Sequence, residues 1–190
     1  MSKGLKILTV VIIVLCCAIG AFVWYVAWLF NGSITKTDLK YYEEHISGNG
    51  FMPNLESLPE YEDIRFKYYH KNNFIFESDA YTLIVTYDEE TYQEEKDKLD
   101  QKYYFQEEPL NDWTTVPKEP EFTLGTFYFR VLSEEAYRDE YHNNYPQKIY
   151  FIGTSDVTNE IAYIEFYDID LDLINSLQEF LVRYCDWEVA

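Results

Sequence analysis

The hydrophobic positions of this chain form one long unbroken run near the N-terminus, followed by short periodic patterns separated by polar residues. The run covers residues 7–30 and contains no charged side chain. At about 1.5 Å per residue a helix of this length measures about 36 Å, more than the roughly 30 Å hydrocarbon core of a bilayer. The pattern predicts that residues 1–30 form a cytoplasmic stub and a transmembrane signal-anchor.

Two other interpretations of the N-terminus start from the same residues. Ala18-Ile19-Gly20 offers a small-x-small pattern for signal-peptide cleavage. The apolar run continues for ten residues beyond it, whereas cleaved signals have apolar regions of about 7–15 residues, so an uncleaved anchor is favoured. Cys16-Cys17 would suit lipid attachment, but Leu15 stands where a small residue is needed. Both cysteines are then small apolar members of the helix.

The flanks of the run predict its orientation. Lys3 and Lys6 precede it, and Lys and Arg are enriched on the cytoplasmic side of membrane helices. Trp24, Tyr25 and Trp28 lie toward its other end, where aromatic rings favour the membrane–water interface. We expect a cytoplasmic N-terminus and an outside C-terminal domain.

Residues 31–60 are predicted to be a juxtamembrane helix and linker. Leu39, Tyr42 and Ile46 have helical spacing, with Thr35 or Thr37 as the cap. Gly48-Asn49-Gly50 would end this helix, and two prolines make the following segment irregular.

Residues 61–190 are predicted to form one α+β domain. Alternation with a period of two indicates strands, and helical periodicity after Asp88 indicates a helix to Tyr104. A proline-containing loop is expected at 106–121 and a short helix or turn at 134–144. The predicted strands begin at 64, 74 and 81 and cover 122–132, 147–153 and 160–167, and the last helix covers 171 to about 186. We expect one antiparallel sheet of five or six strands with helices packed on one face. The segments 74–99 and 149–181 share a strand–strand–helix order, which indicates either a duplication or chance.

Charge narrows the possible partners. The chain has 34 acidic and 15 basic residues, and only Lys3 and Lys6 of these precede residue 31, so the outer part carries 13 − 34 = −21. Such a charge disfavours nucleic acid and anionic lipid and favours basic proteins or divalent metals. Cys185 is the one cysteine outside the apolar run, so no disulfide can form within the domain. This cysteine usage is typical of a Gram-positive bacterial cell surface.

One pattern of carboxylates suggests a metal site. Asp168, Asp170, Asp172 and Glu179 occupy positions 1, 3, 5 and 12 of a calcium-binding loop. Leu173 stands where the sharp turn of such a loop needs glycine. The alternative is a set of acidic residues that stabilise the N-terminus of the last helix. We keep calcium as a candidate ligand.

Aromatic residues suggest a binding surface. Neighbouring residues of a strand point to opposite faces, so one of Tyr68 and Tyr69 should face outward. Together with Trp113, they would form an aromatic surface for a protein or an envelope glycan, unless a second layer or the long loop covers it.

The sequence contains no nucleophile elbow, phosphate-binding loop, dinucleotide fingerprint or CxxC motif. We therefore expect a non-enzymatic, membrane-anchored module that binds a protein or an envelope component, without a cofactor. The alternatives are a membrane-tethered immunity protein that neutralises a basic toxin, and an envelope hydrolase that uses a pair of carboxylates.

Overall fold

The structure is a computed structural model that describes residues 3–30, 32–48, 50–73, 76–109, 119–132, 148–168, 176–185 and 187. Helix α1 (Lys3–Phe30) extends over 28 residues, about 42 Å at the α-helical rise. Within it, Gly4–Val26 is long and apolar enough to cross a membrane, which is consistent with membrane anchoring.

The remaining described elements are mostly strands, with helices and a 3₁₀ turn between or after them. In chain order they are β1 (Ser33–Lys36), α2 (Leu39–His45), a 3₁₀ turn (Leu55–Ser57), β2 (Asp63–Asn73), β3 (Phe76–Thr86), α3 (Glu89–Lys102), β4 (Glu121–Leu124), β5 (Phe127–Val131), β6 (Lys148–Ser155), β7 (Glu160–Asp168) and α4 (Leu177–Cys185).

All seven described strands belong to one sheet, and every neighbouring pair is antiparallel. The spatial order is β1-β2-β3-β7-β6-β5-β4. Strands β1–β3 form one meander and β4–β7 form a second, and the two join where β3 pairs with β7. The α+β class with one antiparallel sheet is confirmed.

The sheet has seven strands where five or six were predicted, for three reasons. The segments predicted to begin at 74 and 81 are one strand, β3, because Ser78 and Asp79 pair on both sides, with β2 and with β7. The segment 122–132 is two strands, because Gly125 has φ of 61° and turns the chain between β4 and β5. In addition, β1 pairs with β2, so the sheet begins within the segment predicted to be a linker.

The two faces of the sheet differ in their predominant aromatic residue type. The face that contacts α4 buries phenylalanines: Phe122, Phe127, Phe129, Phe151, Phe166 and Phe180. The face that contacts α2 and α3 is rich in tyrosine: Tyr42, Tyr87, Tyr92, Tyr150 and Tyr163 are buried, and Tyr41, Tyr68, Tyr81 and Tyr103 are half-buried. We call these the phenylalanine face and the tyrosine face.

The prediction of helices on one face is therefore wrong. Helices α2 and α3 cover the tyrosine face, and α4 covers the phenylalanine face. Both sides of the central strands carry apolar residues, so each side needs its own cover. A symmetric duplication of the strand–strand–helix unit would relate β3 to β7 by a two-fold axis normal to the sheet. Such an axis would keep α3 and α4 on the same face. They lie on opposite faces, so their arrangement does not fit a symmetric duplication.

Local hydrogen bonds explain where the helices begin. Asp38, and not Thr35 or Thr37, caps α2 by accepting from the backbone N–H groups of Lys40 and Tyr41. Asp88 caps α3 as predicted, at 2.9 Å from the Thr91 N–H. In α4 the Ser176 hydroxyl accepts from the Glu179 N–H at 3.1 Å. The predicted helix or turn at 134–144, most of the loop 106–121, and residues 171–175 lie outside the described residues.

Candidate functional site

A stack of aromatic rings crosses the tyrosine face beside α2. Tyr41 and His45 lie one turn apart on α2, with ring centroids 4.4 Å apart. The Tyr41 ring stacks on that of Tyr68 at 5.7 Å, and Tyr68 stacks on Tyr81 at 4.8 Å. Interplanar angles of 11–13° make the four rings nearly parallel. We call these residues the tyrosine stack.

Strand register places Tyr68 and Tyr81 in the stack. They are direct cross-strand partners in β2 and β3, so their side chains leave the same face of the sheet as neighbours. The cap at Asp38 starts α2 so that Tyr41 reaches the Tyr68 ring. Tyr41, Tyr68 and Tyr81 are half-buried, and His45 is exposed, so part of the stack is accessible to solvent.

A carboxylate adjoins the stack. The Tyr68 hydroxyl donates to Asp79 Oδ1 at 2.7 Å, and His70 Nδ1 lies 3.0 Å from the same oxygen. Asp79 and His70 are cross-strand partners with side-chain exposures of 16% and 17%. The carboxylate therefore fixes the Tyr68 ring while it remains in reach of solvent.

A second acidic residue lies beside the β3 end of the stack. Glu165 of β7 is the cross-strand partner of Tyr81 and is half-buried. Burial raises the pKa of Tyr81 to about 12, with further contributions from the charges of Asp79 and Glu165. Burial, together with the hydrogen bond to Asp79, raises the pKa of Tyr68 well above its ordinary value. Both phenols therefore stay protonated at neutral pH and can donate hydrogen bonds.

The predicted surface residues lie in different places. Tyr68 is in the stack, whereas Tyr69 points to the opposite face and packs against the phenylalanine core. This is the alternation that a strand requires. Both side chains are half-buried. Trp113 lies outside the described residues.

The structure describes only part of the predicted calcium site. Asp168 ends β7, where it pairs with Ser78, and Glu179 lies in the first turn of α4. Asp170 and Asp172 lie outside the described residues. Within the part of the chain that the structure describes, no group of three or more His, Cys, Asp or Glu side chains could hold a metal ion. Calcium binding stays a prediction.

A groove of about 500 Å³ lies between α3 and strands β5 and β6. Its walls carry two ion pairs: Lys96 Nζ is 2.5 Å from Asp156 Oδ1, and Arg130 Nη1 is 2.6 Å from Asp100 Oδ1. Tyr92 also donates to Asp156 at 2.5 Å. Because both cations already bind carboxylates, these contacts connect α3 to the sheet and do not offer a separate anion site.

Sequence reasoning missed most residues of the stack. The sequence predicts that one strand begins at 74 and another at 81, with Ser78-Asp79 between them. That division does not predict that Tyr68 pairs with Tyr81 and His70 with Asp79. A continuous strand from 76 to 86 would have placed these pairs side by side. The approach of Tyr41 from α2 depends on tertiary packing and has no sequence signal.

Compared with protein-family models, with curated proteins and with solved structures, the chain matches none. Its function must therefore be inferred from the site itself.

Proposed function

We propose that this chain is a single-pass, membrane-anchored binding module whose tyrosine stack holds a cationic segment of a partner protein outside the cell membrane. The observation that carries the proposal is the four-ring stack beside the acidic residues Asp79 and Glu165. The charges of Lys3 and Lys6 support a cytoplasmic N-terminus, and the cysteine usage supports a Gram-positive surface.

Aromatic rings and carboxylates together suit a lysine or arginine side chain. A guanidinium group stacks on a tyrosine ring and forms charge-assisted hydrogen bonds with a carboxylate. Asp79 is already held by Tyr68 and His70, so little ordering is needed when a cation arrives. The outer charge of −21 adds long-range attraction for a basic partner and repels nucleic acid. A basic toxin bound by an immunity protein is one partner of this type.

A carboxylate-dependent hydrolase is the second candidate. Asp79 and Glu165 are diagonal neighbours on adjacent strands. That relation sets the two residues about 7–8 Å apart, with their Cβ atoms somewhat closer, and the carboxyl groups of inverting glycosidases are roughly 6.5–9.5 Å apart. The binding proposal is favoured because Asp79 Oδ1 already contacts two side chains.

The proposal is tested with full-length protein in nanodiscs and a fluorescent arginine-rich peptide. Asp79→Asn removes one negative charge at the stack, and Glu89→Gln removes one at the exposed first turn of α3. A hydrogen bond to a charged group contributes about 1.5–3 kcal/mol, so Asp79→Asn should weaken binding by roughly 10- to 100-fold. Glu89→Gln should change binding only slightly.

Two further variants test the rings. Tyr41→Ala shortens the stack, whereas Tyr104→Ala removes a tyrosine that is 80% exposed and lies outside it. Of these two variants, only Tyr41→Ala should weaken binding of the peptide. Equal losses for the stack variants and their matched controls would refute the proposal, because the peptide would then follow overall charge. Binding or cleavage of envelope glycan that Asp79→Asn abolishes, without peptide binding, would favour the hydrolase.

A further inference from the structure

We infer that the β2–β3 hairpin end of the sheet contacts the bilayer interface, so that the tyrosine stack meets its partner at the membrane surface. The inference rests on the proposed anchoring by α1. It adds a lipid-facing surface of the domain and a location for the binding site.

The short link between anchor and sheet supports this placement. Helix α1 ends at Phe30 and β1 begins at Ser33. Three residue steps span at most about 11 Å. Ser33 pairs with Lys71 of β2, and paired strands lie about 5 Å apart. The Lys71 backbone therefore lies within about 16 Å of the end of the membrane helix.

Strand direction brings the hairpin closer still. Because β1 follows α1 in the chain and β2 is antiparallel to β1, β2 runs back toward the end of the sheet at which β1 begins. It continues two residues past Lys71 to Asn73, which pairs with Phe76 at the start of β3. At about 3.3 Å per residue this adds about 7 Å in the direction from which β1 arrives.

The dimensions of the bilayer then put the headgroup layer within reach of the hairpin. The apolar run continues to Phe30, with Trp28 near its end, so the end of α1 lies at the interface. The interfacial region on each side of the hydrocarbon core is about 5–8 Å thick. A lysine at position 71 suits this layer, because its stem can lie against lipid while its ammonium group contacts headgroups.

The location constrains how a partner reaches the site. The His70–Asp79 pair is one register step from Lys71, and the Tyr68–Tyr81 pair is three residues from it, about 10 Å along the strands. A cationic segment that binds the stack must therefore lie along the membrane surface, as the juxtamembrane part of another membrane protein does.

The opposite end of the central strands provides an internal control. Thr86 of β3 is eight residues from Ser78, the partner of Lys71, and pairs with Glu160 at the β6–β7 turn. This separation is about 26 Å along the strand. Val157 lies in that turn and is 77% exposed.

The test uses full-length protein in vesicles that contain lipids with a headgroup-attached quencher. Cys16, Cys17 and Cys185 are replaced by alanine, and a fluorophore is attached at Lys71→Cys or at Val157→Cys. Quenching should be several-fold stronger at position 71 than at 157. Equal quenching at the two positions would overturn the inference.

A second variant makes the link longer. A flexible Gly-Ser segment between Gly32 and Ser33 should reduce quenching at position 71 toward the value at 157, and unchanged quenching would contradict the tether argument. Carbonate extraction separates the two proposals. Release of the protein from the vesicles refutes the membrane anchor, whereas retained protein with equal quenching refutes only the hairpin contact.

Discussion

Gly153 of β6 lies where the phenylalanine face has no room for a side chain. A Cβ atom at this position would lie 2.4 Å from Cε1 and 2.7 Å from Cδ1 of Phe129. Optimal carbon–carbon contacts are about 3.5–4.0 Å, so Gly153→Ala requires the ring to move by about 1 Å. Phe129 is fully buried, stacked on Phe122 at 5.3 Å and edge-on to Trp187 at 5.0 Å, so the ring has little space to move.

The magnitude follows from two opposing terms. Overpacking a filled core costs about 1–3 kcal/mol, and the enclosed ring places this site near the upper end. Replacing glycine by alanine restricts the unfolded chain and returns about 0.4–1 kcal/mol. We expect Gly153→Ala to lower the free energy of unfolding by about 2 kcal/mol.

Urea unfolding of the full-length protein in detergent micelles measures this change as a lower midpoint at constant slope. Gly32→Ala is the matched control, because no atom lies within 4 Å of its added Cβ. In a Phe129→Leu background the cost of Gly153→Ala should fall toward zero, since the clashing ring atoms are gone. An unchanged cost there, or a Gly153→Ala midpoint equal to that of Gly32→Ala, would refute the assignment of the clash to Phe129.

Two further predictions concern hydroxyl and carboxylate partners. The Tyr87 hydroxyl is buried without a hydrogen-bond partner among the described residues, so Tyr87→Phe should be neutral or stabilising. Tyr92 donates to Asp156, so Tyr92→Phe should lower the free energy of unfolding by about 1 kcal/mol or more. Thermal unfolding that ranks the two variants in the opposite order would contradict this. Hydrogen bonds from Thr91 lower the pKa of Asp88, so this cap should stabilise α3 above the unfolded-state pKa of about 3.9 and lose its effect as pH falls through the lower folded-state pKa. Asp88→Asn should remove that part of the loss of helix at acid pH in a circular-dichroism titration. The same loss of helix in the variant and in the parent protein would show that Asp88 does not contribute to it.

The sequence is sufficient to predict the long apolar helix, the α+β class and the cap of α3, because these depend on local periodicity and on one side chain. It was insufficient where tertiary pairing overrides local preference. Ser78 and Asp79 look like a break because both residues are polar. In the sheet Ser78 is buried, and Asp79 is held by Tyr68 and His70, so β3 continues through them.

The site was predictable only in part for the same reason. Tyr68 was selected because strand alternation is local. Its neighbours Asp79, His70 and Tyr81 come from the register of β2 with β3, and Tyr41 and His45 come from the docking of α2. Glu165 reaches the stack through the pairing of β3 with β7, and its partner Tyr81 lies 165 − 81 = 84 positions earlier in the chain.

The central pairing of β3 with β7 also determines the order in which the domain can be completed during synthesis. The first meander, β1–β3, has all its strands once Thr86 has emerged, but the free edge of β3 must await β7, which begins at Glu160. At about 5–20 residues per second, the 73 intervening residues take on the order of 4–15 s to synthesise. During that interval the outer edge of β3 remains unpaired, so a nascent chain is most exposed to mispairing after its first meander has been made and before its last strand arrives.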